Sequence, residues 1–182
     1  MFASLRFAPL FLLATSFVSA GVVVEKRSST ADIQTVFNTL KGSTDSILPQ
    51  ITALSSGGNA SDDTVTPLIN DLTAAFDTAT ASLAALSPVE ARKRQSDDDI
   101  ANLVAGILTD VTNALDGLLA DASSIPALGG LLASVDTSLN QVILGLEVLL
   151  AGVLNLVANL LVDVAGLLRS LALGLTLATL GL

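Results

Sequence analysis

An all-α fold is predicted, a polar helical hairpin followed by a Leu-rich, apolar helical C-terminal part. Three observations predict it. Apolar residues recur in steps of three and four through both halves. Helix-start signals stand where those stripes begin, and Pro or Gly stands where they stop. Residues 95–182 hold 25 Leu, nine Gly, one Pro and no aromatic residue.

The first 27 residues read as targeting and processing sequence. Arg6 is a basic n-region and Phe7 to Val18 an apolar h-region. Val18-Ser19-Ala20 carries the small or branched residues of a cleavage site, so residues 1–20 read as a signal peptide cut after Ala20. The alternative, a membrane anchor, suffers from the shortness of the run. Residues 21–27 end in Lys26-Arg27, a dibasic pair that reads as the end of a propeptide or as a solvated charge pair. With cleavage after Arg27, the mature chain keeps five basic and 16 acidic residues.

Residues 28–86 read as the hairpin. Ile33, Phe37, Leu40, Ile47, Ile51 and Leu54, with Thr44 in the remaining slot, make one stripe. Ser29 and Asp32 fit a capping box at its start. Gly42 and Pro49 predict a kink or break in its middle. The loop Ser55 to Asp63 carries the sequon Asn59-Ala60-Ser61, a candidate glycosylation site on Asn59. Thr66 then fits a cap and Pro67 a first helical position. Val65, Ile69, Leu72, Phe76, Ala79, Leu83 and Leu86 repeat the stripe. Either helix alone is marginal in water, so pairing of the stripes must hold them.

Residues 87–99 read as a charged linker, with Pro88 ending the preceding helix and Asp97-Asp98-Asp99 placed for the next helix's positive end. Lys93-Arg94 is either part of a solvated linker or a second dibasic processing site. A cut there divides the chain into two products.

Residues 100–182 are the Leu-rich region, with two or three helices expected from Asp97 onward. Ile100, Val104, Ile107, Val111, Ala114 and Leu118 form its first stripe, and Ile125-Pro126 with Gly129-Gly130 breaks it. Between Ile143 and Leu182 only Glu147, Asp163 and Arg169 are charged. Gln141, Gly145, Gly152, Asn155, Asn159, Asp163, Gly166 and Ser170 recur at helical spacings as a thin polar stripe on an apolar rod. Such a rod must be buried in protein, lipid or another apolar phase. Leu146, Leu149, Leu150, Leu154, Leu161 and Leu168 are the candidate surface-binding residues. Membrane insertion is the rival reading, although Val148 to Val162 gives only 15 uncharged residues where a span needs about 20.

The composition removes whole classes of chemistry. The chain has 182 residues, a net charge of −9, 51% apolar residues and a mean hydropathy of +0.72. It has no Cys, His, Trp or Tyr. Disulfides, thiolate or imidazole catalysis and His/Cys metal sites are therefore unavailable to it. Stability must come from helix packing or from binding a surface. An acidic chain poor in aromatics lacks the footprint of a nucleic-acid binder. Asp62-Asp63 and Asp97-Asp98-Asp99 are explained by solvation and capping; the latter lacks the ligand alternation of a calcium loop. Gly129-Gly130 lacks the Lys of a phosphate loop. No enzyme activity and no cofactor are expected.

The signal peptide, the short propeptide ending in Lys26-Arg27, the Cys-free mature chain and the Leu-rich C-terminal half together resemble secreted hyphal-wall proteins of basidiomycetes. Residues 31–86, especially Ile51-Thr52-Ala53-Leu54-Ser55-Ser56-Gly57-Gly58 and Val65-Thr66-Pro67-Leu68-Ile69-Asn70-Asp71-Leu72, resemble the fungal hydrophobic-surface-binding domain of cell-wall mannoproteins. After Arg94 the chain departs from that domain by turning Leu-rich. The resemblances imply a secreted, non-hydrophobin surface protein of the cell wall, acting in attachment and aerial growth, without catalytic residues. Its expected partners are hydrophobic surfaces or wall components, with self-association as a further option. The alternatives are a membrane-active or membrane-anchored protein using residues 131–182, and a precursor cut after Arg94.

Overall fold

The computed structural model describes residues 28–88 and 94–182, with backbone alone for 94–96. The expected processing positions Ala20, Lys26, Arg27 and Lys93 lie outside the described residues; Arg94 opens a helix. Among the described residues there are seven α-helices, one 3-10 turn and no strand. The chain is all-α.

Helix α1 (Thr30–Ser56) starts at the anticipated capping box. The Asp32 carboxylate accepts from the Ser29 N–H at 2.8 Å, and the Asp32 N–H donates to Ser29 Oγ at 3.3 Å. The predicted stripe is the buried face: Ile33, Phe37, Leu40, Thr44, Ile47 and Ile51 are all buried. Of the kink or break expected at Gly42 and Pro49, the break does not occur: the helix runs through both. An interior proline costs about 3 kcal/mol. Pro49 is exposed, however, and its neighbours Ile47, Leu48 and Ile51 are buried. Each such side chain is worth roughly 1.5–3 kcal/mol when fully buried, so packing outweighs the proline.

Helix α2 (Asp62–Ala84) starts before the expected cap at Thr66. Ser61 is the N-cap, its N–H donating to Thr64 Oγ1 at 3.0 Å. Asp62 and Asp63 lie in the first turn, where the helix dipole favours acids. Pro67 is thus tolerated in the second turn, not the first. The buried face is as read, from Val65 to Leu83.

Helix α3 (Arg94–Leu119) takes in Arg94 to Asp99, which the sequence reading placed in the linker. A 3-10 turn (Ala122–Ser124) and Pro126 then reverse the chain. Gly129-Gly130 does not contribute to this break; both glycines lie in the first turn of α4 (Leu128–Leu149).

The last stretch departs most from expectation. It is not one apolar rod. Gly152, with φ of +88°, turns the chain out of α4 into α5 (Val153–Leu160). Helices α6 (Ala165–Ser170) and α7 (Gly174–Leu180) follow. The Leu-rich region from Arg94 therefore holds five helices, not two or three. Gln141, Asn155, Asn159, Asp163, Gly166 and Ser170 do face water, but from three different helices and, for Asp163, from the turn between α5 and α6.

The two halves form one body with a continuous apolar core from Ile33 to Leu180. Helices α1 and α2 pair antiparallel, joined through the tight turn at Gly57 and Gly58. Helix α3 packs along α1 in parallel: Lys41 lies 3.6 Å from Asp110, and Gly117 faces Ser55. Helix α4 packs along α2 in parallel: the Ala127 N–H donates to Asp62 at 3.1 Å, and Gly145 faces Leu83. Helices α3 and α4, consecutive in sequence, barely touch. The space between them is taken by the short helices. Helix α5 and, less extensively, α6 pack on α3, whereas α7 packs on α4. Residues 150–182 are thus a wedge that closes the bundle.

Candidate surface-binding region

The six leucines singled out from the sequence are all core residues. Leu146, Leu161 and Leu168 are fully buried, and Leu149, Leu150 and Leu154 nearly so. Their assignment as a ready-made binding face is corrected on this ground. The reason is physical: the chain breaks at Gly152 and the wedge, which carries Leu150, Leu154, Leu161 and Leu168, folds against the helix that carries Leu146 and Leu149, so water is excluded by protein. Large hydrophobic side chains that do face water are Leu144, Val148, Leu160, Val162 and Leu175, with Val148 69% and Val162 61% exposed. All five lie in the segment from α4 to α7. The periodicity of a Leu/Val-rich run could not separate these from their buried neighbours, because almost every register is apolar.

The wedge is fastened to α4 by polar side chains. Glu147 accepts from the Gly152 N–H at 2.9 Å and, more weakly, from the Leu154 N–H at 3.4 Å, satisfying the start of α5. Asp136, buried on α4, accepts from the Leu175 and Thr176 N–H groups, both at 2.9 Å, at the start of α7. One turn along α4, Asn140 Oδ1 accepts from Thr179 Oγ1 at 2.5 Å. These α4 residues carry the polar organisation of the region, and sequence reading passed over Asp136 and Asn140. The available signal was an acid and an amide four residues apart, the acid being the only charged residue between Asp121 and Glu147.

The hairpin presents a different surface. A groove of about 660 Å³ between α1 and α2 is lined mainly by Thr, Ser and Ala. Its hydroxyls are used within their own helices: Thr35, Thr39, Ser43, Thr78 and Ser82 each donate to the carbonyl four residues earlier. They do not converge on a ligand. Lys41 bonds Asp45 at 2.9 Å, which holds its ammonium above the usual lysine range, with Asp110 adding to the effect. The group is solvated, so the pairs add little to stability. Asn59 is exposed in the α1–α2 turn, where its carbonyl accepts from Thr64 Oγ1 at 3.1 Å. Among the described residues no cluster of three or more potential metal ligands occurs, and no helix is long and apolar enough to cross a membrane.

No known protein family matches the chain. It is similar to fruiting body differentiation protein 16 of Flammulina velutipes, a basidiomycete, with 53% identity over 60 residues. The match takes in 33% of this chain and 47% of that protein, so the chain spans about half the length of this curated relative.

Proposed function

We propose that the chain is a secreted structural protein of the fungal cell wall, active in fruiting-body development, that coats apolar surfaces through its C-terminal region. One observation carries the reading: the exposed large hydrophobic side chains lie between Leu144 and Leu175, whereas α1 and α2 turn Ser, Thr and Asp to water. Charge supports it, since only Glu147, Asp163 and Arg169 are charged from Ile143 onward. The developmental part of the reading comes from the name of the relative. Signal cleavage after Ala20, propeptide removal after Arg27 and a glycan on Asn59 belong to the same proposal. The polar hairpin then faces water, and wall components or a second copy meet the apolar side. We assign the protein no reaction and no cofactor.

The packing changes what processing at Lys93-Arg94 would do. Helix α3 lies along α1 and α4 along α2. A cut after Arg94 therefore gives a nicked single body, with its pieces held by the shared core, and not two free products.

The test uses the mature chain and a polystyrene-coated microbalance. Wild type adsorbs strongly. Val148→Lys with Val162→Lys places two ammonium groups at the two most exposed of the large hydrophobic positions without entering the core. Desolvating them opposes adsorption, and the surface affinity falls at least about tenfold, or about 1.4 kcal/mol. Unchanged adsorption of the double variant would overturn the assignment of the binding side.

A further inference from the structure

We propose that residues 150–182 are a releasable wedge, which leaves the gap between α3 and α4 when the protein meets an apolar phase and delivers its buried leucines to that phase. The inference rests on the surface-active reading and adds how the surface is engaged. The five exposed apolar residues begin the contact; the buried ones complete it.

Four features of the wedge fit release. Its helices have eight, six and seven residues, and none is capped by its own N-cap side chain. Helices this short do not persist unsupported in water. Its polar fastenings are few: Glu147, Asp136 and Asn140 on the α4 side, and on α3 a 3.5 Å contact from Ser170 to Asp116. It also carries local strain. Ala172 sits at φ of +56°, a left-handed conformation disfavoured for any residue with a Cβ, and the Thr176 hydroxyl is buried without a partner. Finally, Gly152 at φ of +88° supplies a natural hinge where the wedge leaves α4.

The exchange is physically balanced. In water, release would expose the wedge's Leu and Val side chains together with the inner faces of α3 and α4. Against oil, air or plastic, the wedge's side chains and the inner faces of α3 and α4 that it uncovers both leave one apolar environment for another. What is then lost is chiefly the set of backbone N–H bonds to Asp136 and Glu147. Within 151–182 only Asp163 and Arg169 carry charge, so little opposes transfer. Helices α1 and α2 keep their mutual packing throughout.

The absence of cysteine from the chain makes the test clean. Asn140→Cys with Thr179→Cys, joined by a short reducible cross-linker, ties α7 to α4. A control lock, Ser55→Cys with Gly117→Cys, ties α1 to α3; a Cβ at Gly117 lies 3.6 Å from Ser55 Cβ, within disulfide range. Adsorption of each protein to polystyrene is followed before and after reduction. The wedge lock slows adsorption at least about tenfold and reduction restores it, because the open state is no longer populated. The control lock changes nothing. Equal adsorption rates for locked and reduced wedge would overturn the proposal, as would an equal effect of the control lock, which would mean global opening. Failure of wild type and of the reduced proteins to adsorb at all would instead overturn the surface-active reading itself. A release variant, Asp136→Asn with Glu147→Gln, gives the opposite sign and adsorbs faster; slower adsorption by this variant, while folded, would count against the wedge.

Discussion

Phe76→Ala destabilises the protein by about 3–5 kcal/mol, the range for truncating a fully buried phenylalanine. Phe76 on α2 is fully buried, as is Phe37 on α1 to within 1%. They are the two aromatic side chains among the described residues; the rest of the apolar core is aliphatic. Helix α2 is held on both sides, by α1 and by α4, so it cannot collapse into the space that the ring leaves. The cavity term therefore stays near its full size. In thermal melts followed by circular dichroism, the midpoint falls on the order of 10 °C for a chain of this size. A loss under about 1 kcal/mol would mean that the α1–α2 interface repacks freely, contrary to the low exposure seen there.

Leu161→Lys and Val162→Lys, neighbours in sequence, differ by about 4 kcal/mol or more in their effect on stability. Leu161 is fully buried where α5 ends, whereas Val162 is 61% exposed. An ammonium at 161 enters an apolar site with no partner, one of the few routes to a very large single-residue loss. At 162 the same group stays in water, and the change is within about 0.5 kcal/mol. Urea unfolding of the two variants decides the matter. Similar midpoints would mean that the wedge is not packed in solution. The contrast also matters for function, because a lysine at 161 or 154 disturbs adsorption through the core, whereas lysine at 162 tests the surface alone.

Much of the fold was legible because the hairpin sequence is locally consistent. The Ser29–Asp32 box marked the start of α1, and a single stripe from Ile33 to Ile51 named its buried face, Thr44 included. The start of α2 is set by Ser61 and Thr64, whose side chain satisfies the cap, and not by Pro67, which lies in the second turn. The break expected at Pro49 failed for the converse reason: local propensity was outweighed by burial of Ile47, Leu48 and Ile51. In 131–182 periodicity lost its power. Leucine occupies so many registers that a stripe drawn through Gln141 and Asn155 fits one long helix as well as several short ones. What sets the actual breaks is the left-handed Gly152 and long-range capping, Asp136 reaching Leu175 and Thr176 some forty residues on. No local pattern encodes that pairing. The candidate leucines were therefore identified by type and misplaced by exposure.

On an apolar surface one packed body is proposed to open at a single place. Pulsed spin-label distance measurements test it most directly, on the mature chain free and adsorbed to polystyrene beads. One pair, Thr78→Cys with Asn159→Cys, spans α2 and α5; a second, Asn38→Cys with Thr78→Cys, spans α1 and α2. All three positions are exposed, so the labels leave the core intact. On adsorption the α2–α5 distance lengthens and broadens, while the α1–α2 distance keeps its solution value. Unchanged distances for both pairs on the beads, or loss of both together, would contradict it.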